Sequence, residues 1–145
     1  MIEFKAATKL FFDRATVENA IARGKLRGLK RFGALTRTIA RRSIRRPTKK
    51  QRHAPPGKPP RDQTGTLKRG ILFFAELDTE SVVIGPVRLN KKGDAPHILE
   101  YGGRTTIPYV RDNPVQLLPR PFMRPAFTIA QERLPEIWDD AITAR

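Results

Sequence analysis

Cysteine is absent from the chain. That excludes disulfides, thiolate metal sites and a cysteine nucleophile, and it leaves the redox compartment open. Histidine occurs only as His53 and His97. Neither has the spaced carboxylate or third ligand that a metal site needs, so no metal or other cofactor is expected. No apolar run approaches the ~20 residues of a membrane span. The opening stretch MIEFKAATKLFFDRA carries acids and no long apolar segment, which predicts no secretory leader. Motifs of catalysis are missing too. GTLKRG has glycines at the wrong spacing for a phosphate loop, and no G-x-S-x-G elbow occurs. Glu100, in an apolar stretch beside Tyr101, is the one candidate acid, and capping or pairing with an arginine is its simpler use. No enzymatic activity is expected.

Acids are almost missing from one third of the chain. Between Arg23 and Arg69 there are 17 Lys and Arg residues and a single acid, Asp62, a local net charge of +16 against +15 for all 145 residues. A confined block of one sign points to a face or arm aimed at something anionic, rather than to general solubility. The length fits one domain with a modest core. A hydrophobic fraction of 39% with 13 prolines predicts that part of the chain is extended or completed by a partner.

Three zones follow within one domain. Residues 1–46 read as helical and basic. Phe4, Leu10, Phe11 and Phe12 make an apolar start, with Asp13 or Thr16 as caps of the segment that follows. Val17, Ile21, Leu29, Phe32, Leu35, Ile39 and Ala40 then recur every three or four residues, a stripe that leaves Arg23, Lys30, Arg37, Arg41 and Arg45 largely off it. Gly24, Gly28 and Gly33 mark either a close approach or a kink. Residues 47–63 form a linker, in which Pro47, Pro55, Pro56, Pro59 and Pro60 with Lys49, Lys50, Arg52, Lys58 and Arg61 favour self-repelling extension. It is expected to be mobile in an isolated chain, or ordered as an arm against a neighbouring subunit or nucleic acid.

Residues 64–145 should hold a small antiparallel sheet with a C-terminal helix packed on it. Ile71–Leu77 and Ser81–Ile84 read as a hairpin about the turn Asp78–Glu80, with Gly85–Pro86 ending the second strand. The NKKG stretch Asn90–Gly93 makes a polar loop, and Ala95–Tyr101 a short helix or turn stopped at Gly102–Gly103. Thr105–Val110 is a further strand candidate. Pro121–Thr143 reads as helix, with Pro125 tolerated in its first turn and Pro135 kinking it. The class is α+β.

Arginines on a helix can hold phosphates without reading sequence. Phe32 is the only aromatic inside the basic block and lies on the apolar stripe, so stacking on single strands is not expected. The candidate contacts for DNA or an acidic partner are Arg23, Arg27, Lys30, Arg31, Arg37, Arg41, Arg42, Arg45, Arg46, Lys49 and Lys50.

From about Ala54 onward an ordered set of strings, APPGKPPRDQTGTLKRGI, VVIGP, APHILEYGG and LPRPFMRPAF, resembles the head–tail joining or tail-completion proteins of long-tailed bacteriophages, the family that includes the minor tail protein Z of phage lambda. The matching positions are Pro56–Pro60, Thr64–Ile71, Ile84–Pro86, Glu100–Gly102 and Pro119–Ala126, whereas Gly103–Leu118 departs from the pattern. The resemblance implies a structural subunit of the virion neck, made in the host cytoplasm. It would form a sixfold or twelvefold ring around the DNA channel, between the portal or adaptor and the tail tube. On that reading Pro55, Pro56, Lys58, Pro59 and Pro60 form an arm at a subunit interface. Thr64, Gly65, Leu67 and Ile71 start the sheet. Glu100, Tyr101 and Gly102 form a turn, and Arg120, Pro121, Phe122, Arg124 and Pro125 open the last helix, with Phe122 and Phe127 packed on the sheet. The alternative from composition alone is a ribosomal-type basic nucleic-acid-binding protein.

Overall fold

The structure, a computed structural model, describes residues 14–76, 78–89, 95–106 and 114–143. The expected apolar start Phe4–Phe12, the cap Asp13, Leu77, the Asn90–Gly93 loop and most of the Thr105–Val110 strand lie outside the described residues.

One helix organises everything else. Helix α1, Arg14–Ser43, runs unbroken for 30 residues, about 45 Å at 1.5 Å per residue. Thr16 is inside it rather than at its cap. Its buried row is Gly24, Gly28, Phe32, Thr36 and Ala40, with Gly33 alongside. That is a strict four-residue ridge, whereas Val17 and Ile21 of the expected stripe stand exposed. The buried Thr36 hydroxyl donates back to the Phe32 carbonyl at 2.9 Å, so the ridge hides no unpaired hydroxyl. Glycine is on the ridge because other groups press into the helix there.

Two layers use adjacent sides of α1. After a short helix α2, Thr66–Gly70, the strands β1, Ile71–Glu76, and β2, Ser81–Pro86, form an antiparallel hairpin. Its register places Phe73 opposite Ile84 and Ala75 opposite Val82, and this face turns toward α1 at Gly33 and Arg37. Leu72, Phe74 and Val83 point the other way and are exposed, as alternation along a strand requires. Further on come α3, Ala95–Tyr101, then β3, Gly103–Thr105, paired antiparallel with β4, Val115–Leu117, as a second small sheet. Of the expected strand Thr105–Val110, Thr105 is the last residue of β3.

The C-terminal region is two helices, α4, Met123–Glu132, and α5, Leu134–Thr143. The break falls at Arg133, two residues before Pro135, because a proline ring blocks continuation of the preceding turn. Pro125 sits in the first turn of α4, where its missing N–H costs nothing. These helices pack mainly on α1, and the expected packing on the sheet is met only in part, where Ala126 and Met123 of α4 join the cluster that holds Ile71 of β1. Trp138 faces Gly28, the Ala141 carbonyl lies against Gly24, and Phe127 meets Phe32 edge-on with ring centroids 5.5 Å apart. Phe127 therefore packs on α1, while Phe122 is fully buried beside Ile71 at the root of β1. The main core, Ala40, Ile44, Leu67, Ile71, Phe122 and Ala126, gathers at the C-terminal end of α1. Each large side chain fully buried there contributes about 1.5–3 kcal/mol.

Candidate assembly and nucleic-acid surfaces

Two of the segments that carry the resemblance, Glu100–Gly102 and Pro119–Ala126, are distant in sequence and meet at one carboxylate. Glu100, buried at the end of α3, accepts the backbone N–H groups of Phe122 and Met123 on Oε2 at 2.8 and 3.0 Å, and that of Arg124 on Oε1 at 2.8 Å. These are the donors that a helix N-terminus leaves unpaired, and a negative charge suits the positive end of the α4 dipole. Three of the carboxylate's acceptor positions are taken by main-chain N–H groups, so Glu100 serves as the cap of α4. Gly102 follows with φ of 77°, and a Cβ there would lie 2.9 Å from the Leu117 carbonyl oxygen. Only glycine fits that turn. Tyr101 stays 60% exposed, stacked loosely on His97 with ring centroids 4.9 Å apart.

Asp62 does the same work for α2. Its two oxygens accept the Gly65 and Lys68 N–H groups, each at 2.8 Å. Thr64–Gly65 therefore opens a helical turn, not the sheet, and the sheet starts five residues later at Ile71. Leu67 and Ile71 are in the core as expected.

The proline segment is neither free nor fully extended. It folds back along α1 through a bridge between Arg45 and Arg61 and through the Asp62 N–H donating to the Arg45 carbonyl. The Arg61 guanidinium donates to the Arg46 carbonyl and to Gln51. Gly57 N–H reaches the Pro119 carbonyl at 2.9 Å, and the Arg120 guanidinium donates to the Ala54 carbonyl at 2.9 Å. Ala54 and Pro60 are buried, while Pro55, Pro56 and Lys58 face solvent and Pro59 is half-buried. In this structure the chain's own main-chain carbonyls engage the segment, and no neighbouring subunit is needed to make those bonds. Pro121, Arg124 and Pro125 line a hollow of about 490 Å³ with Gly57, Glu100 and Tyr101.

The cations divide into two groups. Along the N-terminal half of α1, Lys25 pairs with Glu80 of the hairpin turn at 2.9 Å and Arg31 with Asp140 of α5 at 3.5 Å. Arg27 is also engaged, and Arg23 and Lys30 are exposed. Toward the C-terminal end the pattern changes. Among the described residues, no salt bridge includes any cation from Arg37 to Arg69. Arg37 lies over the Phe73 ring at 5.8 Å. Arg41 donates to the Arg69 carbonyl at 2.8 Å while its Nε is buried without a partner among the described residues. Burial, and then the charge of Arg37, pull its pKa below the ordinary arginine value.

Arg42, Arg45, Arg46, Lys49 and Lys50 are exposed. Arg45 and Arg46 join Lys68 and Arg69 around a hollow of about 220 Å³, and Arg45 also borders a second of about 440 Å³ with Arg42 and Lys58. Lys68 and Arg69 were not among the sequence candidates, because only the fold-back of residues 47–63 carries them to the helix end.

Among the described residues no group of three or more His, Asp or Glu side chains is placed to hold a metal, and no helix is long and apolar enough to cross a membrane. No protein-family profile, curated protein or solved structure matches the chain.

Proposed function

We propose that this chain is a structural subunit of the neck of a long-tailed bacteriophage particle. It would assemble with copies of itself into a sixfold or twelvefold ring between the portal or adaptor and the tail tube. The observation that carries this reading is the convergence at Glu100. Segments 54–57, 99–102 and 119–124, three of the stretches on which the resemblance rests, are tied together by the Glu100 carboxylate, the Arg120 guanidinium and two main-chain hydrogen bonds. Their residues serve architecture. The reading assigns the protein no catalysis and no cofactor.

Two surfaces suit assembly. The outer face of the hairpin presents Leu72, Phe74 and Val83, exposed by 48, 69 and 64%, a cluster that a neighbouring subunit would cover. Charge is also polarised, acids at the hairpin turn and on α5, uncompensated cations at the far end of α1. Head-to-tail contacts that close into a ring need two different, complementary faces of this kind.

The test is the mass in solution by light scattering, with and without nuclease. A discrete ring-sized oligomer that survives nuclease is expected, either alone or on adding portal or tail-tube protein. Phe74→Ser with Val83→Ser is expected to abolish it while changing the monomer's stability by less than about 0.5 kcal/mol, as surface substitutions do. A nuclease-sensitive particle that falls to monomer would replace this reading with the ribosomal-type alternative.

A further inference from the structure

Sequence marks every arginine of α1 alike as a contact for an anion, but the fold does not. We infer that the basic groove at the C-terminal end of α1, built by Arg45, Arg46, Lys68 and Arg69 and extended past Arg45 to Lys58, is the seat for the phosphodiester backbone of duplex DNA. The N-terminal half of the helix takes no part. The groove deepens the neck reading by naming the surface turned to the channel.

Three observations carry it. First, these side chains come from three separated stretches and converge on two adjoining hollows, while Lys25 and Arg31, earlier in α1, lie beside Glu80 and Asp140. Second, Asp62, the only acid that lines the groove among the described residues, is occupied by the Gly65 and Lys68 N–H groups and makes no ion pair with the cations there. Like charges gathered around one hollow repel one another, and a row of phosphates relieves that repulsion while releasing its condensed counterions. Third, no aromatic residue lines either hollow among the described residues. Stacking on unpaired bases has no platform there, which favours a duplex met along its backbone over a single strand.

The test is fluorescence anisotropy with a short labelled DNA duplex across a salt series. Replacing Arg45, Arg46, Lys68 and Arg69 by glutamine is expected to weaken binding on the order of 10²–10³-fold and to flatten the log–log salt dependence by about 3–4, near one unit per lost phosphate contact. Arg23→Gln with Lys30→Gln should stay within about twofold of the parent, since no contact is lost. All six side chains are exposed, and a thermal melt of each variant checks the fold. An independent reading needs no variant: bound duplex should shield Lys58 and Lys68 from amine acetylation and leave Lys30 reactive. An unchanged salt slope in the groove variant, protection of Lys30 in place of Lys68, or competition by polyglutamate as strong as by DNA would each overturn the proposal. Ring formation is read by scattering, so failure here is distinct from failure of the neck reading.

Discussion

Glu100→Ala is expected to lower the stability of the fold by about 3–5 kcal/mol, among the largest effects a single substitution can have. The loss sums over three identified donors. The Phe122 N–H is buried and those of Met123 and Arg124 are partly so. An N–H left unpaired away from water costs about 1–3 kcal/mol. Loss of the helix cap is part of the same sum, since these bonds are the cap. For a chain of this size the melting temperature should fall by roughly 10 °C or more. Glu100→Gln separates the causes. It keeps one oxygen, able to retain the two bonds now made by Oε2, but sets an amide donor against the Arg124 N–H. About half the loss is expected. The measurement is denaturant unfolding of the three proteins side by side. A loss below about 0.5 kcal/mol for alanine would mean that solvent satisfies the three donors and that the clasp is dispensable.

Gly33→Ala tests the opposite intuition. In an exposed helix, replacing glycine by alanine gains about 1 kcal/mol. Here a Cβ would lie 2.6 Å from Phe73 Cδ2, 2.9 Å from Val82 Cγ2 and 3.0 Å from Phe73 Cγ. Cγ sits one bond from the Phe73 Cβ and moves only by turning χ1 or by shifting the strand, each at a cost. Overpacking of this kind costs about 1–3 kcal/mol. A net loss of about 1–2 kcal/mol is expected for Gly33→Ala, and about 3 or more for Gly33→Val, which adds two further methyl groups to the same space. Removing the obstacle should reverse the sign. Against a Phe73→Ala background, Gly33→Ala should be neutral or stabilising, a coupling of about 1–3 kcal/mol in a double-mutant cycle. Stabilisation of the parent protein by Gly33→Ala would show that hairpin and helix are not in contact there.

The elements with local signatures were legible in the sequence. The long helix, the hairpin at Ile71–Pro86 and the helical C-terminal region follow from periodicity and turn residues, and the α+β class follows from their order. Partnership was not legible. Apolar spacing in α4 and α5 says that one face is buried, but nothing in it distinguishes a sheet from a helix as the partner. The seat on α1 was legible in part: Phe32 and Ala40 of the expected stripe are buried on it and Ile39 packs against the core, but hydrophobicity also pointed to Val17 and Ile21, which are exposed, and missed the glycines that admit Trp138 and Phe73. Strands of three residues, like β3 and β4, hold too few positions for alternation to register.

The candidate surfaces divide in the same way. A contiguous block of positive charge is visible in any reading, and so is the ordered motif set. The groove is not, since Lys68 and Arg69 reach Arg45 only after the proline segment folds back through bonds made by main-chain atoms that carry no sequence signal. Glu100 showed itself as an acid in an apolar stretch; its three donors lie more than twenty residues away, and no spacing rule connects them.

The glycine ridge also sets the order of events when the chain is made. Three glycines make α1 roughly 2–3 kcal/mol poorer as an isolated helix than alanines would, so it cannot become firm by itself. Its occupants arrive late. The hairpin follows some thirty residues behind, and Trp138 about a hundred residues after Ser43, an interval of roughly 5–20 s at ordinary rates of synthesis. A long helix made before the elements that seat on it is thus among the last to become rigid, and the fold closes only once α4 and α5 pack against α1.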